Sequence, residues 1–124
     1  MLIYKIFHTD EWAAFQSAGE TLGAPIDLSD GFIHFSTAEQ AAETAAKHFA
    51  GAEGLWLLAF EAEDMGEALK WEVSRGGALF PHLYRKLSLT EVGQSFYERT
   101  QTVLLDLEEA RVVAARLEDH PSGL

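Results

Sequence analysis

The chain has 124 residues, room for one domain and at most a short appendage. Apolar residues make up 48% of it, and three Trp, eight Phe and three Tyr suffice for a real core. Nine basic against twenty acidic residues give a net charge of −11 and cysteine is absent, which excludes disulfides, thiolate zinc sites and a Cys nucleophile and disfavours nonspecific DNA binding.

Met1 to Lys5 lacks a basic region followed by a long apolar run, so no signal peptide is expected. No stretch approaches ~18 uninterrupted apolar residues, so the expectation is a cytoplasmic protein without a membrane partner. Leu2 to His8 is made of β-formers, apolar on both alternating faces, and predicts a strand buried in a sheet. Thr9 or Asp10 caps a helix in which Trp12, Phe15 and Gln16 share a side, and Gly19 ends it. Residues 20–30 contain Gly23, Pro25, Asp27, Ser29 and Asp30, a loop by turn chemistry. A second strand is predicted from Gly31 to Phe35. An Ala-rich helix then starts at Ser36 or Thr37 and runs to about His48, with Glu39 and Gln40 each three residues after a candidate cap.

Beyond Gly51 and Gly54, Leu55 to Glu61 reads as a third strand, apolar on both faces and therefore central. Asp64 to Gly66 is a turn. Leu69 to Ser74 alternates, with Leu69, Trp71 and Val73 on one face and Lys70, Glu72 and Ser74 on the other. Arg75-Gly76-Gly77 turns the chain again, and Pro81 assigns Leu79 to Tyr84 to a sheet edge or a loop. From Thr90 to about Asp119, Leu89, Phe96, Val103, Ala110 and Leu117 recur every seven residues, which predicts a helix of roughly eight turns. Arg99 and Asp106 interrupt its companion seam. Such a stripe needs a partner, most simply a second copy, so a homodimer through residues 90–118 is expected.

Several familiar signals are missing: a P-loop, a GxGxxG after a strand, His-Glu-x-x-His and Gly-x-Ser-x-Gly. Three polar segments remain. The strand period puts Phe32, His34 and Ser36 on one face, where they either pack and cap locally or bind an anionic or polyhydroxyl ligand. Lys70-Trp71-Glu72 is either a solvated strand face or part of the same site. Phe80-Pro81-His82-Leu83-Tyr84-Arg85 packs an imidazole, a phenol and a guanidinium around a stiffened bend, as a core lid or a ligand loop. His34, Glu72 and His82 share no element with metal-ligand spacing, so no metal is expected.

Gly31-Phe32-Ile33-His34-Phe35-Ser36 with Gln40, and Leu69-Lys70-Trp71-Glu72 with Gly77 and Phe80-Pro81-His82-Leu83-Tyr84, resemble the bacterial domain of unknown function 952 family. Ile3-Tyr4-Lys5-Ile6 and Trp12 fit the same pattern, and the resemblance covers about residues 1–87. It implies an α+β fold like that of the ADP-ribosyltransferases and RNA 2′-phosphotransferases: a small, bent mixed β-sheet with flanking helices and a cleft between its halves. The family carries no established activity, but the analogy of its fold to the ADP-ribosyltransferases implies a nucleotide-, ADP-ribose- or NAD-like ligand, with NAD as a substrate rather than a resident cofactor. Glu72 and His34 are then the catalytic candidates, Glu72 stabilising an oxocarbenium-like state. Lys5, Ser36, Arg75, His82 and Tyr84 are the ligand-binding candidates. A His is common where Lys5 stands, and a Lys there would pair with phosphate as a point charge.

Leu87-Ser88-Leu89-Thr90-Glu91-Val92-Gly93-Gln94-Ser95-Phe96-Tyr97-Glu98-Arg99, then Asp106-Leu107-Glu108-Glu109-Ala110, resembles the wing and linker helix of LysR-type transcriptional regulators. In those proteins the linker helix pairs two subunits. The preceding helix-turn-helix is missing, so this resemblance implies dimerisation rather than operator binding. It also implies a boundary between a domain at 1–87 and a helical segment at 88–124, displacing the first family's terminal strand. Three functional readings follow: a nucleotide-type binding protein or transferase, a non-catalytic dimeric interaction module, and a LysR-type regulator fragment.

Overall fold

The computed structural model describes residues 1–49 and 51–100, without the side chains of residues 75 and 98–100. In chain order the elements are β1 (Leu2–His8), α1 (Thr9–Ala18), β2 (Glu20–Thr21), α2 (Pro25–Asp30), β3 (Ile33–His34), α3 (Ala38–His48), β4 (Glu53–Glu61), β5 (Leu69–Val73), β6 (Leu79–Leu83), β7 (Leu87–Ser88) and β8 (Val92–Thr100). Short 3₁₀ segments flank β5 and precede β8.

β4 is apolar on both faces because both are covered. It pairs with β1 from Leu2 opposite Glu61 to His8 opposite Leu55, and with β8 on its other side. Ile3, Phe7, Leu58 and Phe60 pack on one side with Trp12 and Phe15 of α1 and with Ile33, Phe35 and Leu83. Tyr4, Ile6, Leu55, Leu57 and Ala59 pack on the other with Ala41 and Ala45 of α3. Each fully buried Phe or Leu contributes about 1.5–3 kcal/mol, so these two clusters dominate stability. A second sheet has the order β3-β6-β5, and β2 pairs with β7. The two larger sheets meet where Tyr4 and Ser36 exchange backbone hydrogen bonds of 2.8 and 2.9 Å.

Both long helices end on local signals. Gly19 takes φ +79° and donates its N–H to the Phe15 carbonyl at 2.8 Å. Thr37 and Gln40 form a reciprocal capping box, Gln40 N–H to Thr37 Oγ1 and Thr37 N–H to Gln40 Oε1. Among the described residues no helix is long and apolar enough to cross a membrane.

Four expectations are corrected. The sheet is not mixed, since the paired strands described are antiparallel. Residues 20–30 are not a plain loop but contain β2 and α2, because Pro25 at the helix start and Asp27 accepting the Ala24 N–H are helix-initiating as well as turn chemistry. Pro81 lies in β6, the middle strand of its sheet, not at an edge. It is tolerated because β3 is only two residues long, and the Pro81 carbonyl still accepts the Phe35 N–H at 3.0 Å. The helix expected from residue 90 is absent through residue 100, where a 3₁₀ turn leads into β8. β4 needs partners for its outer N–H and C=O groups, and that demand overrides a heptad spacing read from few apolar residues. A bulge opposite Ala59 and Phe60 shifts the alternation, so Val92 packs on one core cluster and Phe96 on the other. The remainder of the expected dimer helix, residues 101–118, lies outside the described residues.

Candidate functional site

The register of the β3-β6-β5 sheet sets His34 opposite His82 and His82 opposite Lys70, with Glu72 opposite Phe80. By the two-residue period, Phe32, His34, Ser36, Glu72, Phe80, His82 and Tyr84 therefore share one face. The Phe32 ring stacks on His82 at 4.2 Å and touches His34 at 4.6 Å and Tyr84 at 5.2 Å. His82 Nδ1 donates to Glu72 Oε1 at 2.8 Å, and the Tyr84 hydroxyl donates to the same oxygen at 2.6 Å. The Tyr84 bond, then the His82 bond, holds the Glu72 carboxyl below the usual carboxylate range, and Glu72 in turn pushes the Tyr84 phenol up. His82 Nε2 has no hydrogen-bond partner among the described residues and is not sealed from solvent.

His34 is held differently. Its Nδ1 lies 2.6 Å from Asp27 Oδ1 and its Nε2 lies 2.9 Å from Asp30 Oδ2, so both ring nitrogens are engaged by α2. Asp27 is completely buried and also binds Lys5 Nζ at 2.6 Å, closing a Lys5–Asp27–His34 chain across the gap between β1 and β3. Gly23 permits this approach: it has φ +102°, and a Cβ there would overlap the Asp27 carboxylate.

Beyond the Tyr4–Ser36 bridge, β1 and β3 part, and a cleft of about 620 Å³ opens between them and α3. Lys5, His34, Ser36 and His82 line it, together with His8 and His48, so four of the five histidines of this acidic chain collect in one place. Among the described residues no three His, Asp or Glu side chains are grouped as metal ligands.

Of the residues singled out in the sequence, His34, Ser36, His82 and Lys5 converge on the cleft, while Glu72 and Tyr84 do not line it. Glu72 reaches it through His82. His34 and Glu72 do not touch; the His82 ring, 5.3 Å from that of His34, stands between them. Lys5 is 6% exposed and its charge faces Asp27. Ser36 shares a 2.9 Å hydroxyl pair with Thr44. The side chain of Arg75 lies outside the described residues. Sequence reasoning missed Asp27, Asp30 and the ring-stacking role of Phe32. The Gly23-Ala24-Pro25-x-Asp27 string carried a signal for the first, since Pro at the start of a helix with an acid two residues on marks an N-terminus.

The family profile described as "Protein of unknown function (DUF952)" matches residues 6–95, which include every one of these site residues except Lys5. The chain belongs to this family. The matched segment crosses the junction near Leu87, so residues 88–95 lie within it. The X-ray structure of protein CC0527 from Caulobacter crescentus is similar at 57% identity and a TM-score of 0.76, covering 78% of this chain and 85% of that one. The solution NMR structure of CC0527 matches at 58% identity and a TM-score of 0.70, covering 77% and 82%. No curated protein matches this DUF952 chain.

Proposed function

We propose that the cleft binds a nucleotide-like ligand, with NAD and ADP-ribose the first candidates, and that His82 is its proton-exchanging residue. The observation that carries this reading is the convergence of His34, Ser36 and His82 from β3 and β6 on one cleft of about 620 Å³. That volume lies within the roughly 300–1,000 Å³ typical of small-ligand sites. In this reading the two sheets hinged at the Tyr4–Ser36 bridge form a split core of ADP-ribosyltransferase type, an analogy of fold that points to this ligand class and to no particular reaction.

Glu72 acts by fixing His82 as the Nδ1–H tautomer, which leaves Nε2 as the acceptor for a ligand hydroxyl. Lys5, already neutralised by Asp27, supports the cleft wall rather than a phosphate. Polar recognition then falls to His82 Nε2 and the hydroxyls of the cleft, while His34, held by Asp27 and Asp30, shapes the wall beside them. Calorimetric titration of the full chain with NAD and with ADP-ribose tests this. Binding by the wild type, weakened about tenfold or more in His82→Ala and in His34→Ala, is the expected result. No detectable binding of either compound at millimolar concentration sinks the proposal.

A further inference from the structure

β5 is the outer strand of its sheet among the described residues. In the ladder with β6, Ser74 N–H donates to the Ala78 carbonyl and Tyr84 N–H to the Ala68 carbonyl, which makes the even positions of β5 the inward-bonded ones. Trp71 and Val73 therefore turn their N–H and C=O groups outward, as Leu69 does its C=O, while the Leu69 N–H is donated to the Gly66 carbonyl. The Trp71 and Val73 side chains are 39% and 69% exposed, and Leu79, opposite Val73, is 52% exposed. An open edge carrying apolar side chains is a template for another strand.

The residues of β5 specify which strand. Paired antiparallel with a second β5 about a two-fold axis at Trp71, Trp71 faces Trp71 and Leu69 faces Val73. Trp71 offers both backbone groups to this pairing, and at each Leu69–Val73 pair the Leu69 carbonyl accepts the Val73 N–H. The same register sets Lys70 opposite Glu72 twice, at the non-hydrogen-bonded sites where facing side chains approach most closely. Moving the axis by two residues destroys the match, placing Lys70 opposite Ala68 or Glu72 opposite Ser74. Lys70 is exposed, and Glu72 bonds both His82 and Tyr84 through Oε1 alone, leaving Oε2 for an incoming ammonium.

We infer that this chain forms a homodimer by β5–β5 pairing, with Lys70 of each copy on Glu72 of the other. The contact reaches the carboxylate that holds His82 at the cleft, yet it stands independently of any ligand. A five-residue edge buries little area, so the dimer is weak and in rapid exchange.

Sedimentation velocity on the full chain without ligand, from about 10 µM to about 1 mM, tests it. The wild type passes from monomer to dimer across this range. Lys70→Glu and Glu72→Lys each weaken self-association about tenfold or more, since both symmetric pairs become repulsive, and an equimolar mixture of the two restores it. Val73→Lys, which alters an exposed side chain, abolishes the dimer while leaving the circular dichroism spectrum unchanged, so the result does not depend on Glu72→Lys folding. A wild type that stays monomeric throughout overturns the inference. So does a dimer that survives Lys70→Glu or Val73→Lys, or folded charge variants that fail to pair when mixed.

Discussion

Asp27 accepts hydrogen bonds from the Ala24 N–H (2.7 Å) and the His34 N–H (3.0 Å), and its carboxylate also contacts the His34 ring and the Lys5 ammonium. Burial alone would push the carboxyl up, but the His34 bond and the Lys5 charge outweigh it and hold Asp27 below the ordinary carboxylate range. Asp27→Ala leaves Lys5 buried without a counter-charge and costs about 3–5 kcal/mol in urea denaturation. Because the folded carboxyl is the stronger acid, its contribution is complete above the unfolded value of about 3.9 and fades as pH falls through the lower folded one. The wild type should therefore lose stability below about pH 4 more steeply than Asp27→Ala, in urea midpoints measured across that range. Gly23→Ala strains a positive φ and drives a methyl into the Asp27 carboxylate, so a loss of about 2 kcal/mol or more is expected in the same assay. Tyr84 gives a spectroscopic handle on the other cluster. Its phenolate absorbance should appear above the usual tyrosine range and move down in Glu72→Gln, since the Glu72 bond is what raises it.

At the scale of elements, what was legible depended on whether the signal was local. The capping box of α3 and the Gly19 stop of α1 are set by a few consecutive residues and were readable; Thr37→Ala should cost α3 about 1 kcal/mol, seen as a lower thermal midpoint. α2 was not readable as a helix because Gly, Pro, Asp and Ser serve turns and helix starts alike, and only the burial of Asp27 against β1 and β3 selects between them. The alternation of β5 was correct in period but left open which face is covered. Trp71 and Val73 face outward at an open edge, while the Glu72 side carries the His82 and Tyr84 bonds. Period two tells which residues share a face and not which face another element covers.

At the scale of the molecule, β8 completes the β1-β4-β8 sheet and supplies Val92 and Phe96 to the two core clusters. A chain ended after residue 87 strips β4 of that neighbour along its length and uncovers both clusters. It should show no cooperative thermal transition by circular dichroism, where the full chain shows one. Composition, strand period and local caps were enough, by themselves, to establish an α+β chain with a buried β1, a central β4 and an Ala-rich α3, and the motifs around His34, Glu72 and His82 carried the family resemblance. Those properties arise from neighbours within one turn or one strand. Tertiary structure alone decided that residues 92–100 pair as a strand, that Asp27 joins Lys5 to His34, and that His82 stands between His34 and Glu72. Each of these is a contact between segments distant along the chain, set by which hydrogen-bonding edges and buried charges must find partners once the sheets have assembled.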